Sequence, residues 1–108
     1  RHNPWRAMVE RNLDISAFFD AAGRITHWPA KKHGARRRAL LVWLASTFEG
    51  LPEMAEKEVN DHLQQRHTFS DPAYLRRELV DAGLLGRTRD CTRYWLIPQS
   101  HDEAILRL

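Results

Sequence analysis

Apolar residues recur at helical spacing in three stretches of this chain and alternate with polar ones in a fourth. Leu40, Leu41, Leu44 and Phe48 share one face of a helical repeat, which predicts a helix over 36–48. Ala39, Val42, Trp43 and Ala45 spread apolar groups over its other faces, so a second surface is expected to cover it, either an N-terminal arm or another subunit. Gly50 and Pro52 end it. Val59, His62 and Leu63 form the inward stripe of a second helix over 55–65, and Glu56, Glu58 and Asp61 point to water. The early acids suit the positive end of that helix dipole. A third helix has Ser70 or Asp71 as its cap and Pro72 in its first turn. Its inward face is Tyr74 or Leu75, Leu79 and Ala82, and Gly83 breaks it.

Beyond Gly83-Leu84-Leu85-Gly86, the runs 87–89 and 92–97 flank Asp90-Cys91 and predict a β-hairpin closed by a tight turn, which Pro98 stops. Tyr94 and Leu96 are expected in the core. Trp95 is expected on the opposite face, under a guanidinium or over the short strand near Ile25. Upstream, Asp14 caps a short helix with Ile15, Phe18 and Phe19 as its apolar face and Gly23 as its stop. Residues 24–28 form a brief extended segment ended by Pro29, and such a strand is expected to pair with the hairpin. A helical arm over 4–11 and a last turn through Ala104, Ile105 and Leu108 complete the pattern. The predicted architecture is α+β and mainly helical: a winged helix with a three-helix core and a C-terminal hairpin wing over 18–98. An N-terminal helical arm over 1–17 precedes it and a tail over 99–108 follows.

Composition narrows the classes of function. With 108 residues and 43% hydrophobic content, one core is the expectation. Charged residues make up 29%, no apolar run reaches bilayer length, and no secretory signal order is present, so a cytoplasmic protein without membrane partners is expected. The chain opens on Arg1, not Met, and is read as a stretch of a longer protein. The single cysteine, Cys91, allows neither an internal disulfide nor a thiolate-rich zinc site. The six histidines are dispersed, and His62 with His67 lacks the spacing of paired helical ligands. No nucleophile elbow, phosphate-cradling glycine loop or paired carboxylates with catalytic geometry occur. No cofactor and no enzymatic activity are expected.

The net charge of +3 is unevenly spread. Between Asp20 and Glu49 there is no acid, and the interval carries Arg24, Lys31, Lys32, Arg36, Arg37 and Arg38. The following stretch reverses sign: Glu49, Glu53, Glu56, Glu58 and Asp61 face only Lys57. From Arg66 to Trp95 the balance is basic again.

The residues also resemble a known family, the bacterial domain of unknown function 2087. Matches run from Phe19 through Gly23-Arg24-Ile25, Pro29 with Lys31, and Glu58-Val59-Asn60, then from Asp71 through Leu75-Arg76-Arg77. Leu79-Val80-Asp81, Gly83, Leu85, Arg87 and Tyr94-Trp95 complete them. The resemblance covers 18–95. It implies a winged-helix-like fold and a setting in transcription control, since the family occurs alone or joined to helix-turn-helix regulators of the arsenic-repressor type. Two departures stand out: Cys91 replaces the glycine favoured after the aspartate of the hairpin turn, and His67-Thr68-Phe69-Ser70 lengthens the turn before the third helix.

In such a fold the third helix enters the major groove, with Arg76 and Arg77 toward the bases. The structural alternative pairs Arg77 with Asp81, or braces one guanidinium on the second helix through Glu56 or Glu58. Arg87, Arg89 and Arg93, at even spacing, are expected on one face of the wing, against phosphates or simply in solvent. Lys31, Lys32, Arg36, Arg37 and Arg38 gather at a helix start, where their charge opposes the dipole. That placement suits phosphate contact, the alternative being pairing with the acidic second helix. The expected function is double-stranded DNA binding in a bacterial transcriptional regulator, as a homodimer or fused to a regulatory domain. The competing expectation is an interaction or effector-sensing accessory domain that does not bind DNA.

Overall fold

The computed structural model describes residues 15–98, and its element order is a 3-10 turn (Ser16–Phe18), α1 (Gly34–Ser46), α2 (Glu56–Gln64), α3 (Pro72–Asp81), β1 (Leu85–Arg87) and β2 (Tyr94–Leu96). The chain is α+β, with a two-stranded antiparallel sheet. The arm over 4–11, the Asp14 cap and the C-terminal turn lie outside the described residues.

Local chemistry sets the limits of α3. Asp71 stands outside the helical region and its Oδ1 accepts from the Tyr74 N–H at 3.2 Å, while Pro72 occupies the first turn, where no N–H is needed. At the other end Gly83 adopts φ 75, and the N–H groups of Leu84 and Gly83 donate to the carbonyls of Leu79 and Val80, each at 3.0 Å. This crossed pair is a Schellman stop, which asks for a left-handed residue at the Gly83 position.

In α1 the local signals conflict with the outcome. No side chain caps its start, no acid lies in its first turn, and Arg36 and Arg37 oppose the dipole there. Burial decides instead: Ala39, Leu40 and Leu44 are wholly buried, and Leu41, Val42 and Ala45 nearly so. The edge of Phe19 covers Trp43, with ring centroids 4.7 Å apart, so the upstream segment supplies part of the second covering. In α2, Glu58 accepts from the Ala55 N–H at 2.8 Å, Val59 and Leu63 are buried, and Lys57 pairs with Asp61 in solvent at 2.8 Å.

Three expectations are corrected upstream and in the sheet. The short helix shrinks to the 3-10 turn, because Phe19 leaves it to bridge Ile25. The segment around Ile25 does not join the hairpin. Ile25 donates to the Arg66 carbonyl at 2.8 Å and accepts from the Thr68 N–H at 2.9 Å, so it pairs with the turn between α2 and α3. The hairpin's third edge is Met54, whose N–H and C=O exchange 2.8 Å bonds with Tyr94. Finally, the strands lie closer to the core than predicted, and residues 88–93 form the connection.

The lengthened turn is organised by His67, which is 2% exposed. Its Nε2 accepts from the Asp71 N–H at 2.9 Å, which leaves Nδ1 to donate to the Leu63 carbonyl at 2.7 Å. One ring thus joins the end of α2 to the cap of α3. At the hairpin tip Cys91 has φ 62, which costs a residue with a Cβ about 1–2 kcal/mol and accounts for glycine being the favoured residue there. Asp90 compensates: the hydroxyls of Thr92 and Thr88 donate to its carboxylate at 2.7 and 2.8 Å and hold its pKa below the ordinary value.

His62 is a titrating element of the core margin. Burial, with the Arg66 charge second, lowers its pKa to about 4. The Thr47 hydroxyl gives its proton to the Leu44 carbonyl at 2.6 Å, so the His62 Nε2–H must donate to Thr47 Oγ1, 2.8 Å away. Above pH 6.5 the imidazole is neutral in both states. Between pH 6.5 and about 4 the unfolded chain takes up a proton that the folded chain refuses, so stability falls with pH through this window. Discounted for partial exposure, the loss is about 1–2 kcal/mol. Thermal melts across pH 4–7 should show this slope reduced in His62→Gln; an equal slope in the variant would refute the assignment.

Candidate nucleic-acid interface

The ten cations of the helix start, the third helix and the hairpin separate into two groups. Arg37 reaches from the start of α1 to α3, where it donates to the Tyr74 hydroxyl at 2.9 Å and to Glu78 at 2.5 Å, leaving its side chain 14% exposed. Arg38 runs beside it to the Ala82 carbonyl, at 3.0 Å. The basic helix start therefore pairs with α3 and not with the acidic α2. The sequence does not single out Tyr74 and Glu78 as partners. Their spacing of four residues put both on one flank of α3, but nothing local says that α1 lies against that flank.

Arg76 is likewise committed. It donates to Asn60 Oδ1, pairs with Glu56 at 3.5 Å, sits 5.9 Å from the Tyr94 ring centroid, and is 13% exposed. Tyr94 completes the cluster by donating to Glu56 at 3.1 Å, with burial first and this hydrogen bond second raising its phenol pKa. Arg76 is thus the guanidinium that braces α2. Arg77 points outward, exposed, and forms no ion pair with Asp81.

The hairpin arginines do not share a face. Leu85 faces Leu96, Gly86 faces Trp95 and Arg87 faces Tyr94, so an odd-numbered residue on β1 shares its face with an even-numbered one on β2. Even spacing within one strand does not carry across a hairpin with this register. Arg87 lies on the Tyr94 side, where its Nη1 donates to Cys91 Sγ at 3.0 Å; Arg93 lies on the Trp95 side, 3.8 Å from Glu53. Arg89 stands in the connecting loop, exposed. Trp95, 36% exposed, covers neither a guanidinium nor Ile25; its indole lies against Gly86, where a Cβ would overlap the ring.

The group without a counterion is then Lys31, Lys32 and Arg36 before and in the first turn of α1, Arg77 on α3, and Arg87, bonded only to Cys91 and the Thr88 carbonyl, with Arg89 on the hairpin. All are exposed and none forms an ion pair among the described residues. The Arg37–Glu78 bond brings the α1 start to the flank of α3 next to Arg77. Among the described residues no three His, Cys, Asp or Glu side chains gather to hold a metal ion, and no helix is long and apolar enough to cross a membrane.

Compared with known proteins, residues 24–96 match the model of a family described as an uncharacterized protein conserved in bacteria (DUF2087). No curated protein and no solved structure matches the chain.

Proposed function

The chain belongs to the bacterial DUF2087 family, and from that premise we propose that it is a winged-helix module of a cytoplasmic transcriptional regulator, binding duplex DNA by its phosphates. The winged-helix reading is supported by the order α1, Met54 edge, α2, α3, hairpin, with the edge bonded to the second hairpin strand. A helix-turn-helix followed by a three-edged wing has this connectivity.

One observation carries the DNA reading. The fold pairs Arg37, Arg76 and Arg93 with its own acids, yet among the described residues Lys31, Lys32, Arg36, Arg77, Arg87 and Arg89 stand exposed without acid partners. Exposed, unpaired cations around a helix start and a hairpin suit a polyanion. A second reading, an accessory domain without DNA contact, is favoured by the pairing of Ile25 with the turn that leads into α3. A salt series separates them. The 108-residue chain should bind a labelled duplex at about 50 mM salt, with a slope of log K against log salt no steeper than about −5 for these cations. Absence of binding at that salt would establish the accessory reading.

A further inference from the structure

We infer that the duplex taken by this fold is bound without regard to base sequence, because α3 has no set of side chains left with which to read one. The inference rests on the duplex-binding reading above and narrows it to a class of partner. Direct readout requires several donors and acceptors projecting from one exposed helix face toward base edges, above all near the helix N-terminus.

The outward face of α3 is the half-buried Ala73 with the exposed Arg77 and Asp81, one turn apart each, and the residues before Ala73 are Ser70, Asp71 and Pro72. Ala73 and Pro72 offer no side-chain hydrogen bond. Asp71 is an anion whose Oδ1 already accepts from the Tyr74 N–H, and Asp81 is a second anion on the face that would meet DNA. Arg77 remains as the one charged donor, beside the lone Ser70 hydroxyl ahead of the helix. The flanking positions are occupied on both sides: Arg76 is held by Asn60 and Glu56, Glu78 is paired with Arg37, and the half-buried Tyr74 hydroxyl accepts from the same guanidinium. The turn through which a reading helix would enter the groove is itself bonded to Ile25 on the Arg66 and Thr68 backbone. By contrast the uncommitted cations are spread over three elements, a layout that follows a backbone and not a base pair.

The test uses the 108-residue chain. Anisotropy titrations with an A·T-only, a G·C-only and a mixed duplex of about 20 bp, together with selection from a randomised duplex pool, read the specificity directly. We expect dissociation constants within about tenfold of one another and no enriched motif, where a reading helix gives about 10³-fold or more. Arg77→Ala should weaken all three duplexes by one common factor, about twofold to fivefold. A selected motif bound more than about tenfold tighter than the pool would overturn the inference while leaving duplex binding intact, as would an Arg77→Ala loss confined to one sequence. Tighter binding to an RNA hairpin than to any duplex would also overturn it. Failure to bind any duplex at about 50 mM salt would remove the underlying reading itself.

Discussion

Replacing Arg76 with Ala should lower the unfolding free energy by about 2–4 kcal/mol, whereas Arg77→Ala, the next residue, should change it by less than about 0.5 kcal/mol. The two arginines are adjacent on one helix, yet one is an internal brace and the other is in solvent. Arg76 joins α3 to Asn60 and Glu56 of α2 and lies against the Tyr94 ring on β2. Its removal leaves Asn60 Oδ1 without its donor and Glu56 facing the Tyr94 hydroxyl alone. Losing partners at a largely buried group costs more than the interaction contributed, because the remaining groups keep their desolvation penalty. Glu56 is 44% exposed, so water recovers part of the loss and the estimate stays below that for a fully buried pair. Urea unfolding followed by tryptophan fluorescence measures both variants. Equal midpoints for the two would show that the cluster does not hold the helices together.

Reversing Lys31, Lys32 and Arg36 to Glu should weaken duplex binding by about 100-fold at 0.1 M salt while leaving the fold intact or slightly more stable. Two effects of opposite sign make this informative. For folding, these cations stand at the positive end of α1, which has no acid in its first turn, so carboxylates there should add a few tenths of a kcal/mol each. For binding, three charges that the proposed function directs at phosphates become three repulsive ones. A thermal melt and an anisotropy titration on the same sample report the two effects separately. An unchanged affinity at low salt would take the α1 start out of the interface, and a lower melting temperature would mean that these side chains have structural partners.

How much was legible in the sequence follows from the range over which each signal acts. The limits of α3 were written in Asp71, Pro72 and Gly83, because a cap, a missing N–H and a left-handed stop each act within a few residues. The hairpin and its turn were legible for the same reason, as was the charge map. Met54 was not. An edge of one residue, following Leu51-Pro52-Glu53, has no alternation to betray it, and it exists because Tyr94 comes to lie beside it. The segment at Ile25 had the look of a strand but no indication of its partner, and a backbone edge pairs with whatever packing brings near. The face of Arg93 turned on the register of the hairpin, which shifts every side chain at once.

The candidate site divides along the same line. That Lys31, Lys32 and Arg36 crowd a helix start, that three helices precede a hairpin, and that arginines outnumber acids from Arg66 to Trp95 are properties of the sequence alone. Which of those arginines remain available for a partner was decided only by the tertiary structure. Arg37 meets Glu78 across 41 positions and Arg76 meets Asn60 across 16, and periodicity carries no information over such separations. Packing chose these pairs: burying the apolar faces of α1, α2 and α3 brought the charges at their margins within reach, and a charge leaving water must find a counterion.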